Sequence, residues 1–417
     1  MTTKNNIPAG YKDSTVGIIP QEWEVKALGY AYKLQGGYAF KSELFADSGI
    51  PIVRISNLPM DSNTVDIADC VYYPNTESVK EQFVIKQGML LIAMSGATTG
   101  KTAVYNSQNS SYLNQRVGMF CSKNNDITYN YLLQLVQSPL YFNALKPLLI
   151  AGAQPNIAPS DVENMKFPVP PLAEQRKIAG ILGVWDEAIE KQSRLIEKLE
   201  LRKRALMQRL LTGRTRLPGF TTPWQKCLYS DILKEVKRTM SWDDNEEYDL
   251  ISVKRRSGGL FFRERLYGRD IKTKNLRPAK CGDFLISKMQ IVHGASGLVT
   301  DEFDGMKISG SYIALVAKNS NYINMDFINW YSKTPYFYHQ TYVSSYGVHI
   351  EKMTFDLESF MSMNIMLPPL PEQKAIAEVL TAADNEVATH RKKLDALRLQ
   401  KRGLMQQLLT GKTRVKI

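Results

Sequence analysis

The chain of 417 residues is poor in the side chains that build disulfide frameworks and metal sites. It contains 4 cysteines and 4 histidines. Cys70, Cys121, Cys227 and Cys281 are scattered without a Cys-x-x-Cys pair, and the histidines show no metal-ligand spacing. The sequence therefore disfavours a disulfide scaffold and a zinc knuckle, and we predict no metal site.

Long apolar runs are also missing. The stretch GMLLIAM, which begins at Gly88, is among the longest. It falls far short of the ~20 residues that a helix needs to span a membrane. The first residues, MTTKNNIPAGYKD, lack the apolar core of a signal peptide. We therefore expect a soluble, reduced, cytoplasmic protein with no membrane partner.

Acidic residues are the minority charge. The 53 Lys and Arg outnumber the 41 Asp and Glu, which gives a net charge of +12 and a pI of about 9.3. Such an excess favours a polyanionic partner such as nucleic acid, although a merely soluble basic protein can have the same composition. With 44% hydrophobic residues, the chain can bury the cores of two or three domains of roughly 100–200 residues each.

The most informative feature that is present is an internal repeat. Residues 169–217 align with residues 367–415 without a gap, and 22 of the 49 positions are identical. Both copies begin with Pro-Pro-Leu-x-Glu-Gln and end with Leu-Leu-Thr-Gly-x-Thr-Arg. The chain therefore alternates variable blocks with repeats, and we predict segments at residues 1–168, 169–213, 214–366 and 367–417.

Each repeat carries the signals of one long helix. Consecutive prolines suit a helix entrance, and a glutamate follows in the first turn of each copy, Glu174 or Glu372. Gly213 and Gly411 stand where a glycine commonly ends a helix. About 40 residues lie between these signals, which is enough for a rod of about 60 Å.

An apolar period of 3.5 residues along both helices predicts a coiled coil. Two stripes in one chain most simply pair with each other, and antiparallel pairing would create an approximate two-fold axis. Polar residues interrupt both stripes at the same places, at Gln192 and His390 and at Lys203 and Lys401. They either fix the register or reach water from the seam edge. The predicted seam consists of Ile178, Leu182, Trp185, Ile189, Ile196, Leu199, Leu206 and Leu210 in the first copy, and of Ile376, Leu380, Val387, Leu394, Leu397, Leu404 and Leu408 in the second.

The two variable blocks resemble each other more weakly. KQGMLLIAMSG, from Lys86, parallels KCGDFLISKMQ, from Lys280, and SPLYFNAL parallels TPYFYHQT. The runs IPIVRIS, GMLLIAM, YDLISV and DFLIS predict strands, whereas TYNYLLQLVQS and MDFINWYSK predict helices. Each block is therefore predicted to be an α+β domain of the same fold with a different surface.

Two unlike blocks that alternate with two like helices, marked PPLxEQ and LLTGxTR, resemble the DNA-specificity subunit of type I restriction–modification systems. The resemblance covers essentially the whole chain. It implies a subunit without catalysis of its own, in which each block is a target-recognition domain that reads one half of a bipartite, asymmetric site in double-stranded DNA. It also implies that the helices space the domains and dock two methyltransferase subunits, which translocase-nuclease subunits join.

Candidate DNA contacts are polar and basic side chains at predicted strand ends and in basic clusters. Asn and Gln can read adenine, Arg can read guanine, and cations contact phosphates. Between Lys254 and Lys280 the chain has ten Lys or Arg and two acidic residues, with aromatic residues interleaved. Any single candidate can instead be a solvated surface residue. The predicted DNA-binding residues are Arg54, Ser56, Asn57, Ser95, Thr98, Thr99, Lys101, Asn114, Gln115, Arg116, Lys254, Arg255, Arg256, Arg263, Lys288, Gln290 and His293.

The sequence contains one partial match to a catalytic motif but no complete one. SGATTGKTAVY resembles a phosphate-binding loop, but a Walker A motif needs a glycine where the chain has Ser95. We instead expect a Gly/Ser/Thr loop whose backbone N–H groups and hydroxyls approach DNA. The sequence has no NPPY or DPPY methyltransferase motif and no glycine-rich cofactor fingerprint, so we predict no cofactor.

Two classes of function are therefore compared. The first is a non-catalytic recognition subunit, and the second is a stand-alone P-loop NTPase or DNA methyltransferase, which the missing motifs disfavour. A specificity subunit of a methylation-only system is a milder alternative that the sequence does not separate from the first. Under the first hypothesis, the purified chain alone neither methylates nor hydrolyses a substrate.

Overall fold

The computed structural model describes residues 7–60, 62–74, 79–150 and 155–417. The chain divides into two compact units, of which the first comprises residues 1–193 and 393–417 and the second comprises residues 194–392. Each unit therefore contains one variable block together with part of each repeated segment.

The first unit is built from twelve strands and four short helices among its described residues, together with parts of two long helices. Its strands are β1 (Tyr11–Lys12), β2 (Ile19–Pro20), β3 (Glu24–Ala27), β4 (Tyr32–Gly36), β5 (Ile50–Val53), β6 (Val71–Tyr73), β7 (Val84–Ile85), β8 (Leu90–Ala93), β9 (Thr102–Val104), β10 (Ser111–Leu113), β11 (Val117–Ser122) and β12 (Lys166–Val169). Its short helices are α1 (Leu28–Ala31), α2 (Tyr129–Leu135), α3 (Pro139–Ile150) and α4 (Pro159–Glu163), and the long helix α5 (Leu172–Leu210) follows.

The second unit continues from α5 with a similar set of elements. Its strands are β13 (Gln225–Leu228), β14 (Leu233–Glu235), β15 (Glu247–Val253), β16 (Leu260–Tyr267), β17 (Arg277–Pro278), β18 (Phe284–Ser287), β19 (Ser296–Leu298), β20 (Lys307–Ile308), β21 (Tyr312–Ala317), β22 (Ser345–Tyr346), β23 (Thr354–Phe355) and β24 (Asn364–Leu367). Its helices are α6 (Tyr229–Ile232), α7 (Met325–Tyr331), α8 (Pro335–Val343) and α9 (Leu357–Met361), and the long helix α10 (Leu370–Leu408) ends the succession.

Both units contain two four-stranded sheets with the same strand order. The first unit has β6-β5-β10-β7 and β4-β11-β8-β9, and the second has β16-β15-β20-β17 and β14-β21-β18-β19. The pairs β5–β10 and β15–β20 are parallel, whereas the other neighbours in these sheets are antiparallel. The prediction that the two blocks are α+β domains of one fold is therefore confirmed, and the four predicted strands correspond to β5, β8, β15 and β18.

The long helices begin and end close to their sequence signals. Each starts directly after the Pro-Pro pair, and each ends three residues before its glycine. Gly213 and Gly411 have φ of 69° and 72°, in the left-handed region that glycine adopts without strain. The N–H groups of Thr215 and Thr413 then donate to the carbonyls of Arg209 and Gln407, a backward bond that satisfies the last helical turn.

Within each unit the segments of α5 and α10 run antiparallel, as predicted. In the second unit, Glu200 pairs with Arg391 and Lys203 Nζ lies 2.6 Å from Asp384 Oδ1, so the partner number falls as the residue number rises. In the first unit, Lys401 Nζ lies 2.5 Å from Asp186 Oδ1. The lysines that interrupt the seam are therefore each paired with an aspartate of the facing helix.

The seam is continuous with a domain core in each unit. Leu182 of α5 and Leu408 of α10 belong to the main core of the first unit, and Leu210 and Leu380 belong to that of the second. Burial of one leucine contributes roughly 1.5–3 kcal/mol. The seam residues are either buried or half-buried, and the half-buried ones are Trp185, Ile189, Leu206, Leu397 and Leu404.

The two end motifs of the repeats bind each other in crossed pairs, which we call the clasps. In the first unit, Glu174 accepts from Arg414 Nε at 2.8 Å and from Trp23 Nε1 at 2.8 Å. The side chain of Glu174 is completely buried, and the two donors satisfy both of its oxygens. The bonded arginine holds this carboxylate in place, and the same bond raises the pKa of Arg414.

The second clasp repeats this geometry with other residues. Glu372, also completely buried, accepts from Arg216 Nε at 2.5 Å and from Trp224 Nε1 at 3.1 Å. The glutamate of each PPLxEQ motif therefore bonds to the arginine of the other repeat's LLTGxTR motif. This explains why both motifs occur twice in the chain, because the clasp of each unit needs one PPLxEQ motif and one LLTGxTR motif.

Candidate nucleic-acid interface

Three loops of the first unit meet at one place, which we call the first loop cluster. They are residues 54–57 after β5, residues 94–101 after β8 and residues 114–116 between β10 and β11. The N–H of Asn114 donates to the carbonyl of Val53 at 3.2 Å, and the N–H of Met94 donates to that of Arg116 at 2.9 Å. Thr98 Oγ1 donates to the carbonyl of Ile55 at 3.4 Å. The loop after β8 therefore contacts both other loops, and the loop between β10 and β11 also bonds to the last residue of β5.

The corresponding loops of the second unit also meet, in the second loop cluster. They are residues 254–259 after β15, residues 288–295 after β18 and residues 309–311 between β20 and β21. The N–H of Arg256 donates to the carbonyl of His293 at 2.6 Å, and the N–H of Lys288 donates to that of Ser311 at 2.9 Å. Except for Arg263, which lies on β16, the predicted DNA-binding residues fall within these two clusters.

The predicted contacts of the first unit differ in how far their side chains reach solvent. Ser56, Gln115 and Arg116 are exposed, whereas Arg54 and Asn114 are half-buried. Asn57 is 3% exposed, and its Oδ1 accepts from the N–H of Arg54 at 2.9 Å. The amide of Asn57 therefore holds the loop after β5 in shape, so its position in this structure gives it a local architectural role.

The loop SGATTGKT has few backbone N–H groups left for a phosphate. The N–H groups of Gly96, Thr99, Gly100 and Lys101 donate to carbonyls of the protein at 2.7–3.2 Å. A phosphate cradle presents such groups to its ligand, and these four are already satisfied. The expectation that backbone N–H groups of this loop approach DNA therefore does not hold for them, because the loop uses them to fold.

Side chains of the same loop also bond within the protein. Thr99 Oγ1 donates to the carbonyl of Gly96 at 2.6 Å. Lys101 Nζ donates to Asn63 Oδ1 at 2.9 Å, a contact that the sequence pattern does not reveal. Ser95 Oγ is buried and has no hydrogen-bond partner among the described residues.

The basic cluster of the second unit caps a β-hairpin. Arg256 and Ser257 connect β15 to β16 with φ of 57° and 54°, in the left-handed region that costs a side chain roughly 1–3 kcal/mol. The turn is held by the N–H of Ser257, which donates to the carbonyl of Gly294 at 2.9 Å, and by a 2.8 Å bond between Ser257 Oγ and Tyr338 Oη. The hairpin tip is thus fixed against the loop after β18.

Exposed cations surround this tip. Lys254, Arg255, Arg256 and Arg263 are exposed. Arg255 is partly neutralised, because one of its guanidinium nitrogens lies 3.3 Å from Glu351 Oε2. In the described part of the chain the guanidinium of Arg256 pairs with no carboxylate, and its exposed charge faces solvent.

Not every cation of the basic stretch faces outward. Arg265 donates to both carboxylate oxygens of Asp249 at 2.5 and 2.8 Å. This bond lowers the pKa of Asp249 below its ordinary value, and it ties β16 to β15. Arg265 therefore supports the hairpin, whereas Arg256 remains available to a ligand.

The other predicted contacts of the second unit lie beside the hairpin. Lys288, Gln290 and His293 are half-buried. His293 Nε2 lies 3.3 Å from Glu351 Oε1, so the carboxylate joins His293 to Arg255. Gln290 Oε1 is buried without a hydrogen-bond partner among the described residues.

Sequence reasoning missed the polar residues that come from other segments. Asn156 lies beside the loop after β8 in the first unit. Lys237, Asn275 and Arg277 surround Lys288 in the second unit. Asn156 is 61 positions from Ser95, and Lys237 is 51 positions from Lys288, so no local pattern connects them. The weak parallel between the two blocks is the signal that could have found them.

No catalytic centre of the common metal-dependent kind emerges from the described residues. Among them, no group of three or more His, Cys, Asp and Glu side chains is placed to hold a metal ion. The four cysteines are free thiols. A search of the described ranges also finds no helix that is both long and apolar enough to cross a membrane.

The comparison with known families decides the identity. The model of the type I restriction modification DNA specificity domain matches residues 20–201 and again residues 230–399. The chain belongs to this family. This agrees with the resemblance to specificity subunits of type I restriction–modification systems that the sequence shows.

Individual relatives agree with the family assignment. The MjaVIII type I restriction enzyme specificity subunit of Methanocaldococcus jannaschii is 31% identical over 217 residues, which are 50% of this chain and 49% of that protein. A second protein of the same organism, assigned as the MjaX specificity subunit, is 27% identical over 97% of both chains. The chain thus spans about half the length of the first relative and nearly all of the second.

Solved structures share the fold. The S subunit of a type I system from M. genitalium matches with a TM-score of 0.58 at 13% identity, over 98% of both chains. A chain from a study of complex assembly and conformational transition of the type I system matches with a TM-score of 0.58 at 17% identity, over 95% of this chain and 99% of that chain. At these identities the likeness supports the fold alone.

Proposed function

We propose that each unit of this specificity subunit reads one half of a bipartite DNA site with its own loop cluster. The observation that carries the proposal is that the same three loops meet in both units, while their side chains differ. One fold with two different sets of exposed residues is what two unlike half-sites require. Base edges are read by such side chains, and the backbone that holds them need not change.

The chemistry of the two clusters suits duplex DNA. The first offers exposed Gln115 and Arg116, and the second offers exposed Lys254 and Arg256. Cations contribute phosphate contacts and the salt-dependent part of affinity, whereas amides and guanidinium groups discriminate bases. The excess of 53 Lys and Arg over 41 Asp and Glu adds long-range attraction.

We assign the spacing and docking roles to the long helices. Each has 39 residues, and each carries large apolar side chains that the chain leaves exposed, such as Val184 and Leu201 on α5 and Leu399 on α10. Single exposed apolar side chains are common on protein surfaces, so the docking role rests on the presence of two like helices, as in the resemblance to specificity subunits. Their proposed occupants are two methyltransferase subunits, which translocase-nuclease subunits join.

The methylated sequence of a host tests the proposal. A host that carries the chain together with its methyltransferase subunits should methylate one asymmetric motif made of two specified parts and an unspecified gap. Replacement of residues 1–168 by the corresponding block of a related subunit should change one part and leave the other intact. A contiguous motif without a gap, or a change in both parts, would contradict the proposal.

A further inference from the structure

A polar cleft lies at the same position in each unit. The first cleft has a volume of about 780 Å³ and is lined by residues 94–97 of the loop after β8, by Gln115 and Arg116, by residues 155–158 and by Pro159 at the start of α4. The second has a volume of about 540 Å³ and is lined by Lys288, by Gly310 and by residues of β23 and α9, with further side chains from the start of β17 and the end of β14. The three shared walls come from corresponding segments of the two blocks.

The backbone frame of the two clefts is the same. The carbonyl of Met94 accepts from the N–H of Ile157 at 2.9 Å, and the carbonyl of Lys288 accepts from the N–H of Phe355 at 2.9 Å. On the other side, the N–H of Met94 donates at 2.9 Å to the loop between β10 and β11, and that of Lys288 donates at 2.9 Å to the loop between β20 and β21. Main-chain bonds therefore fix this frame, and side chains can change without altering it.

The first cleft is lined by amide side chains, a type that can bond to adenine. Gln115 and Asn156 bring two exposed amides to the cleft, and Arg116 is the one cation among its lining residues, which include no carboxylate. Amide side chains can bond to both the N6 and N7 positions of adenine. Ser95 Oγ is buried in the wall without a hydrogen-bond partner among the described residues.

The second cleft is lined by cationic side chains, a type that can bond to guanine. It is lined by Lys237, Arg277 and Lys288, with Glu235 as its one acidic lining residue. Glu235 lies 3.2 Å from Lys237, which leaves Arg277 and Lys288 as the cations that it does not neutralise. One nitrogen of Arg277 donates to the carbonyl of Tyr312 at 2.5 Å, and this bond orients the guanidinium.

From these contrasts we infer that the two clefts are the corresponding base-reading sites of the two domains. The first takes an adenine edge through Gln115 and Asn156, and the second takes a guanine edge through Lys288 and Arg277. The inference rests on the proposed function, since it names which bases the two half-sites contain and which residues read them. Arginine and lysine bond to O6 and N7 of guanine in the major groove.

The test uses the full-length chain and a library of random duplexes. The wild-type chain should enrich a motif with two parts, and Gln115→Ala should relax one adenine position in one part by about tenfold or more. Lys288→Met, which introduces the side chain found at the corresponding position of the other cleft, should relax one guanine position in the other part. Gln82→Ala and Lys226→Met are matched controls, because both residues are exposed and neither lines a cleft.

Each part of the motif serves as the folding control for a substitution in the other unit. A variant that keeps its base preference but loses affinity at high salt would show that its cleft holds a phosphate, which overturns the inference while the proposed function stands. Unchanged preference and unchanged affinity would also overturn it. A wild-type chain that enriches no motif would instead contradict the proposed function.

Discussion

Breaking one clasp should lower the stability of the unit that contains it. The size of this loss depends on how deeply the clasp glutamate is buried. In Arg216→Met, the completely buried Glu372 loses both bonds of 2.5 and 2.6 Å to the guanidinium and keeps the bond from Trp224. Removal of one partner of a buried ion pair costs about 3–5 kcal/mol. Because 26% of the Arg216 side chain is exposed, we expect a loss at the lower end, of about 3 kcal/mol.

The matched substitution Arg414→Met should cost less. The Arg414 side chain is 36% exposed, and its bonds to Glu174 are 2.8 and 3.1 Å. Its ion pair is therefore more hydrated and its hydrogen bonds are longer. We expect the free energy of unfolding to fall by about 2 kcal/mol. The ratio of the two effects tests the reasoning independently of either absolute value.

Urea unfolding of the full chain, followed by tryptophan fluorescence, measures these losses. Trp23 and Trp224 each donate to a clasp glutamate, so each clasp has its own reporter. With a urea slope of about 1–3 kcal/mol per molar, a loss of about 3 kcal/mol moves the midpoint by about 1 M or more. The double variant Glu372→Gln with Arg216→Met should recover part of the stability, because the neutral amide removes the unpaired buried charge. A single variant as stable as the wild type, or a double variant with no recovery, would refute the account.

Two further predictions concern DNA binding. Arg256→Ala should reduce the salt dependence of affinity by about one unit, and Arg255→Ala should reduce it less, since Glu351 already pairs with Arg255; equal effects in a salt titration would contradict this. Lys101→Ala should impair recognition of one half-site and leave ATP binding undetectable before and after the change, because four N–H groups of its loop are satisfied within the protein; ATP bound by the wild type in calorimetry would revive the NTPase alternative.

Local signals explain the parts of the fold that the sequence predicts well. The Pro-Pro entrances and the glycines Gly213 and Gly411 bound the two helices correctly to within three residues, because caps and breakers act on their own neighbourhood. The apolar period predicts which face of each long helix packs against the other helix. The pairing of the two helices is expected because one chain carries two such apolar faces. The strands were predicted from short apolar runs for the same local reason.

Interactions between distant segments explain what the sequence does not predict. Glu372 and Arg216 are 156 positions apart and Glu174 and Arg414 are 240 apart, so each residue alone looks like a charge of the helix entrance or tail. The amide side chain of Asn57 is of a type that can read a base. In the structure, however, its Oδ1 accepts a hydrogen bond from the N–H of Arg54. Asn and Asp side chains compete for nearby backbone groups in this way, and residue type alone does not distinguish the two uses.

The spacing role of the helices leads to a prediction about the unspecified gap of the DNA site. An insertion near Leu210–Gly213, at the end of the first repeat, would not be a clean change, because Leu210 and Leu211 are buried in the core of the second unit. The adjoining Arg216 holds the clasp. An insertion there would disturb a domain as well as a helix. The division between the two units falls in the long helices, after Ser193 in α5 and after Lys392 in α10, which makes these the positions for a cleaner change.

We therefore predict the outcome of matched insertions of four residues, one after Ser193 and one after Lys392. Four residues lengthen a helix by about 6 Å and turn it by slightly more than one full turn, so the apolar seam stays nearly in phase. Since DNA rises about 3.4 Å per base pair, the gap should grow by about one to two base pairs. Both half-site sequences should persist, because the loop clusters of the two units lie outside the inserted segments. An insertion in α5 alone is the control, and it should weaken the protein by shifting its ion pairs out of register with α10. If the methylated motif of the matched variant kept its original gap, these helices would not set the distance between the half-sites.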